Sequence, residues 1–138
     1  METVVKAVLA GLSTVVIHFC FEIAGSLISK GKEIHGLLQP FSRKTALSYT
    51  TAFIIQAVAF VFVYLIIGDN LPGDSLLARG FFFGLVIYLL SGVVAIAPMI
   101  LVFKQKLSFP EAIQVGFVGA LILCVSMGTV FVAIWESV

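Results

Sequence analysis

VVKAVLAGLSTVVIHFCFEIAGSLI, residues 4–28, decides the fold. Apart from Lys6, His18 and Glu22 it is built from apolar and small residues. As a helix it is long enough to cross about 30 Å of hydrocarbon. His18 and Glu22 lie one helical turn apart near its middle. An imidazole and a carboxylate cost a few kcal/mol each in a bilayer if charged, so they seldom sit there without a partner or a task.

Three more stretches have the same character, and the four spans run about 4–29, 45–67, 76–103 and 109–135. The whole chain is 61% hydrophobic and 11% charged, with a mean hydropathy of +1.19. A soluble domain carries about 25% charged residues. The composition therefore predicts an all-α, polytopic membrane protein. It is a single domain over residues 1–138, an antiparallel bundle of four transmembrane helices. The first span is too long for a typical signal-peptide core and no small-residue cleavage pattern follows it, so it is expected to remain attached.

Local signals mark the boundaries. Gly68-Asp69-Asn70-Leu71-Pro72-Gly73-Asp74 is turn chemistry between spans two and three, with Asp74 as the expected N-cap of the third. Ser108 and Glu111 form a capping box before the fourth, and Pro110 is tolerated in its first turn. Lys30, Lys32, Arg43, Lys44, Lys104 and Lys106, six of the eight Lys and Arg residues, fall in two loops on one side. The positive-inside rule makes that side cytoplasmic and both termini non-cytoplasmic, in the plasma membrane. Tyr64 and Trp135 then lie near the outer interface as aromatic anchors. The Lys30–Lys44 loop reads as an interfacial segment, with Leu37, Leu38 and Phe41 dipping into the bilayer.

Each span presents a stripe of small or polar residues at helical spacing. Span one has Gly11, Thr14, His18, Glu22, Gly25 and Ser29, and span two has Tyr49, Ala52, Gln56 and Ala59. Span three has Gly80, Gly84, Tyr88, Ser91, Ala95 and Pro98, and span four has Ala112, Gly116, Gly119, Leu123 and Ser126. Lipid tails are as apolar as leucine, so membrane helices associate by close approach over small residues and by interhelical hydrogen bonds. Gly11, Gly25, Gly80, Gly84, Gly116 and Gly119 are the expected packing positions. Phe81, Phe82 and Phe83 are assigned to the outer faces. The Ala7–Gly11–His18 pattern overlays Gly80–Gly84–Ser91, but spans two and four do not align under the same shift, so no duplication is read.

Counting from the cytoplasmic ends, His18, Gln56 and Ser91 lie about 15–18 Å deep, near mid-membrane. Glu22 is level with Tyr49 and with Pro98, which frees the carbonyl of Val94. His18, Glu22, Tyr49, Gln56 and Ser91 are thus the candidate site. Three readings follow. A structural clamp would pair His18 with Gln56, and Glu22 with Tyr49 or a freed carbonyl. A proton or cation relay would use Glu22 as its titrating group. A haem, metal or lipophilic-ligand module would centre on His18. For metals, His18 and Glu22 supply two ligands, short of a closed zinc site, and Cys20 points about 200° away, so no metal site is assigned. Cys20 and Cys124 differ in depth by roughly 10 Å and read as small buried hydrophobes.

The net charge of +1 argues against a nucleic-acid partner, and no phosphate loop or H-E-x-x-H motif is present. The expectation is a non-catalytic subunit of a larger membrane complex or homo-oligomer. Its partners would be the lipid bilayer and other membrane subunits or itself; the sequence indicates no particular cofactor.

Overall fold

A computed structural model describes residues 2–28, 43–92 and 114–138. Helix α1 spans Glu2–Ile28 and α2 spans Arg43–Ile67. A short 3-10 turn, Gly68–Asn70, leads to α3, Leu76–Ile87, which continues as a π-helical turn through Tyr88–Gly92. A second π-helical segment, Gln114–Gly119, runs into α4, Ala120–Ser137. No strand occurs among the described residues. Three stretches, Glu2–Phe21, Thr50–Asn70 and Phe117–Ser137, are long and apolar enough to cross a membrane; the described apolar part of α3, Leu76–Leu90, is shorter.

The helices form an antiparallel bundle. α4 lies between α3 and α1, and α2 lies against α1 and comes close to α3 with little backbone contact. Much of the outer surface is apolar: Val4, Val8, Leu12 and Val16 on α1 and Ile55, Val58, Phe62 and Leu65 on α2 all stand exposed. Such a surface suits hydrocarbon rather than water. The one cation in the first span, Lys6, reaches back to Glu2 at 3.3 Å, the favourable order for an i,i+4 pair.

Two packing regimes divide the interior. Where α3 meets α4, backbone touches backbone. A Cβ at Gly80 would fall 2.5 Å from the Thr129 Cα, and one at Gly84 would fall 2.5 Å from both the Cys124 carbonyl oxygen and the Val125 Cα. Across from them, a Cβ at Gly128 would fall 2.4 Å from the Gly84 nitrogen. No other residue type fits these places. α2, by contrast, stands off from α3 and α4, and large rings fill the space. Phe60, Tyr64, Phe83 and Phe131 are buried in mutual contact, with ring centroids 5.1–6.0 Å apart, and Trp135 stacks on Phe131 at 5.7 Å. Each such pair contributes about 0.5–1.5 kcal/mol beyond area burial.

This division corrects several expectations. Phe83 is inside, wholly buried, while Phe81 and Phe82 face outward as expected. The inner face of α2 is Phe53, Phe60 and Tyr64; Ala52 and Ala59 are exposed. On α4 the buried residues are Cys124, Met127, Gly128, Phe131 and Val132. Gly119 is exposed with nothing within 4 Å of its Cβ position, and Gly128 is the residue that packs. Tyr64 packs its ring in the core and turns its hydroxyl to Glu136. Cys20 lies exposed on α1, whereas Cys124 is buried, and neither is in a disulfide. On α1 the predicted face is the buried one: Gly11 and Thr14 are enclosed, with a Cβ at Gly11 in ordinary contact with Ala57 at 3.6 Å. Thr14 satisfies its hydroxyl on the Gly11 carbonyl at 2.8 Å. The side chain of Glu22, the packing at Gly25 and Gly116, and the Ser108–Glu111 capping box lie outside the described residues.

The turn before α3 is capped by Ser75, not Asp74. The Ala78 amide donates to the Ser75 hydroxyl at 3.1 Å, and the Arg79 amide to the Ser75 carbonyl at 3.0 Å. Ser75 holds the extended backbone of an N-cap, whose hydroxyl is in reach of the N3 amide. Gly73 precedes it at φ +112°, a conformation that L-residues rarely adopt. Ser75→Ala should lower stability by about 0.5–2 kcal/mol, and Asp74→Ala by much less. Thermal unfolding of the two purified variants checks the assignment.

Candidate functional site

Two polar clusters stand out in the bundle. The first joins His18 and Gln56, two of the candidate residues. His18 comes from α1, where the helical repeat sets it one turn beyond Thr14 on the inward face, and Gln56 comes from the inner side of α2. His18 Nδ1 lies 3.0 Å from Gln56 Oε1, and Gln56 Nε2 lies 3.0 Å from the Sδ of Met127 on α4. A thioether only accepts, so the amide nitrogen must face Met127 and the amide oxygen must face the imidazole. His18 Nδ1 therefore carries a hydrogen and donates. The ring also packs on Phe53, 4.5 Å between centroids.

The structure thus brings together two of the five candidate residues and adds Met127, which the sequence did not single out. Met127 sits four residues before Phe131 on the buried face of α4; with that face assigned one position off, its role was not visible. Glu22, Tyr49 and Ser91 belong to described helices, but their side chains lie outside the described residues.

What this arrangement can do follows from its hydrogens. A proton relay needs members that accept on one side and donate on the other. The chain His18→Gln56→Met127 ends on a sulfur with no proton to pass on, and it links α1, α2 and α4. One turn beyond Gln56 stands Phe60, the first of the interlocked rings, and the polar atom among Phe60, Phe83, Phe131 and Tyr64 is the Tyr64 hydroxyl, which is turned to Glu136. Among the described residues no group of three His, Cys, Asp or Glu side chains is placed to hold a metal.

The second cluster lies at the bundle end that carries the α2–α3 turn and the C-terminus. Glu136, in the last turn of α4, receives Arg79 of α3 at 2.7 Å and the Tyr64 hydroxyl of α2 at 2.8 Å on the same oxygen. Arg79 also donates to the Gly68 carbonyl at 2.8 Å. The Arg79 and Glu136 side chains are 27% and 20% exposed, so the pair is largely shielded. Three helices meet on one carboxylate, and Arg79 ties the turn to them. The sequence did carry a signal for it: Arg79 is one of two cations, with Lys6, on the side that holds Glu136, and it stands one turn inside an otherwise apolar span.

The class defined by this fold is a small helical bundle with the surface of a membrane protein. The chain matches no protein family, no curated protein and no solved structure.

Proposed function

We propose that this chain is a non-catalytic structural subunit of a larger membrane assembly, formed with other membrane chains or with copies of itself. It would lie in the plasma membrane; the six-to-two division of basic residues supports an orientation with both termini on the non-cytoplasmic side. One observation carries the reading. The described interior is closed: rings fill one half, and the polar groups at His18, Gln56, Met127, Tyr64, Arg79 and Glu136 are engaged with one another. Among the described residues no buried side-chain nitrogen or oxygen lacks a hydrogen-bond partner. Chemistry with other molecules is left to the outer apolar faces, the surface through which membrane subunits associate.

Native mass spectrometry of the protein extracted in native-like lipid tests the proposal. The expected mass exceeds the 14.8 kDa of one chain, with other subunits or further copies bound, and Glu22→Gln keeps that assembly intact. A bare monomer overturns the subunit reading. Proteoliposome flux that disappears in a folded Glu22→Gln variant would instead establish the relay reading.

A further inference from the structure

We propose that α2 is a gate helix, latched shut against α4 by two side chains, that rolls sideways as a unit while α1, α3 and α4 stay together.

The closeness of packing differs sharply around the bundle. α3 and α4 touch backbone to backbone at Gly80, Gly84 and Gly128, and α1 also packs closely on α4. Among the described residues α2 has neither kind of seam with α3 or α4; it reaches the core through Gln56, Phe60 and Tyr64, one turn apart on one face. On its other flank, an apolar groove of about 570 Å³ runs along the α1–α2 seam, lined by Ala7, Gly11, Val15, Ala57, Val61 and Leu65 among others. α2 is therefore bordered on the side away from α3 by an open groove that faces lipid, not by packed protein. Rolling it about its contact with α1 would close that groove and part α2 from α3 and α4. Because His18 is on α1, its bond to Gln56 lies near that axis and can persist.

The energetics single out the latches. In a bilayer, rings that leave protein contact meet lipid tails of nearly equal apolarity, so lost ring contacts are largely replaced. Hydrogen bonds are not replaced by hydrocarbon. Tyr64 to Glu136, at 2.8 Å, and Gln56 to Met127, at 3.0 Å, join α2 to α4 and break in such a roll, while Arg79 to the Gly68 carbonyl, at 2.8 Å, keeps α3 tied to the turn that follows α2. The first two lie two turns apart, one near the membrane surface and one deeper, and so resist tilting as well as translation. The closed bundle is one of two states, and these bonds set their populations.

Double electron–electron resonance in nanodiscs tests the gate. Cys20 and Cys124 are first replaced by alanine, and spin labels are placed on the exposed positions Ile55 of α2 and Leu89 of α3, which report the gap. A second pair, Leu89 and Ile122 of α4, reports the fixed seam. Tyr64→Phe and Gln56→Leu each remove one latch while keeping side-chain bulk. A longer Ile55–Leu89 population should grow about threefold with either substitution and about eightfold with both, taking the average interhelical hydrogen bond in a membrane. The Leu89–Ile122 distribution should not move. An unchanged Ile55–Leu89 distribution in the double variant overturns the gate. Equal lengthening of both pairs also overturns it, since that is general loosening and not the motion of one helix.

Discussion

Gly84→Leu is expected to abolish the native bundle. At this position even the first side-chain atom has no room: it would stand 2.5 Å from the Cys124 carbonyl oxygen and the Val125 Cα. Ordinary overpacking costs about 1–3 kcal/mol because neighbouring side chains shift. Here the neighbours are backbone atoms inside a helix, so α3 and α4 must separate along their length. A loss of about 3 kcal/mol or more is expected, at the upper end of that range or beyond it. Gly128→Ala should act in the same direction, since its Cβ would fall 2.5 Å from the Gly84 Cα. Gly119→Ala is the control, with open space at its Cβ and the better helix former introduced. Denaturation in mixed micelles, read by helical circular dichroism, should rank Gly119→Ala at or above the wild type and Gly84→Leu far below it. Equal midpoints for all three would mean that the backbone contact of α3 and α4 is not what holds them.

The contrast between those glycines shows how far the sequence could be read. Four apolar stretches and the turn at 68–74 were visible because length, hydropathy and turn chemistry are local properties. The inward face of α1 was visible too, since Gly11, Thr14 and His18 repeat at helical spacing and nothing else competes. On α2 and α4 the same reasoning failed for a physical reason. It assumed that small residues always face inward, which holds only where two backbones approach. α2 stands away from α3 and α4, so its inner face carries Phe60 and Tyr64, and its alanines at 52 and 59 turn outward. On α4, Gly119 and Gly128 are equivalent by composition, and only the position of Gly84 across the seam tells them apart. The Arg79–Glu136–Tyr64 cluster was hidden for a related reason. Its members are 15 to 72 residues apart in the chain, and only the return of α4 to the α2–α3 turn brings them together.

The two clusters place the polar groups where lipid-phase packing alone would be weakest. Gly80, Gly84 and Gly128 secure one side of the bundle by dispersion at close range, and no side chain is needed there. The other side has no such seam, and it is on this side that Gln56 and Tyr64 supply hydrogen bonds. A single substitution on α2 therefore shifts a balance, whereas one on the α3–α4 seam removes a contact surface.

Glu136→Ala is expected to be the most damaging change at the polar end of the bundle, and more damaging than Arg79→Ala or Tyr64→Phe. Both charges of the pair sit at the end of their helix that the macrodipole disfavours: Arg79 in the first turns of α3, Glu136 in the last turn of α4. Each is held there by the other. Deleting Glu136 leaves the Arg79 guanidinium beside a helix N-terminus, shielded from water, and takes the acceptor from the Tyr64 hydroxyl in the same step. Charge-assisted bonds contribute about 1.5–3 kcal/mol each, against about 0.2–1 kcal/mol for an exposed ion pair. A loss of about 2–4 kcal/mol is therefore expected for Glu136→Ala, the two bonds being coupled through one oxygen. Glu136→Gln, which keeps an acceptor for both donors, should recover part of it. In the Arg79→Ala/Glu136→Ala double variant the unpaired cation is gone, so its loss should fall clearly short of the sum of the single losses. Unfolding midpoints for the four proteins of this cycle measure the coupling directly. Simple additivity would show that the two charges are held by solvent and headgroups rather than by each other.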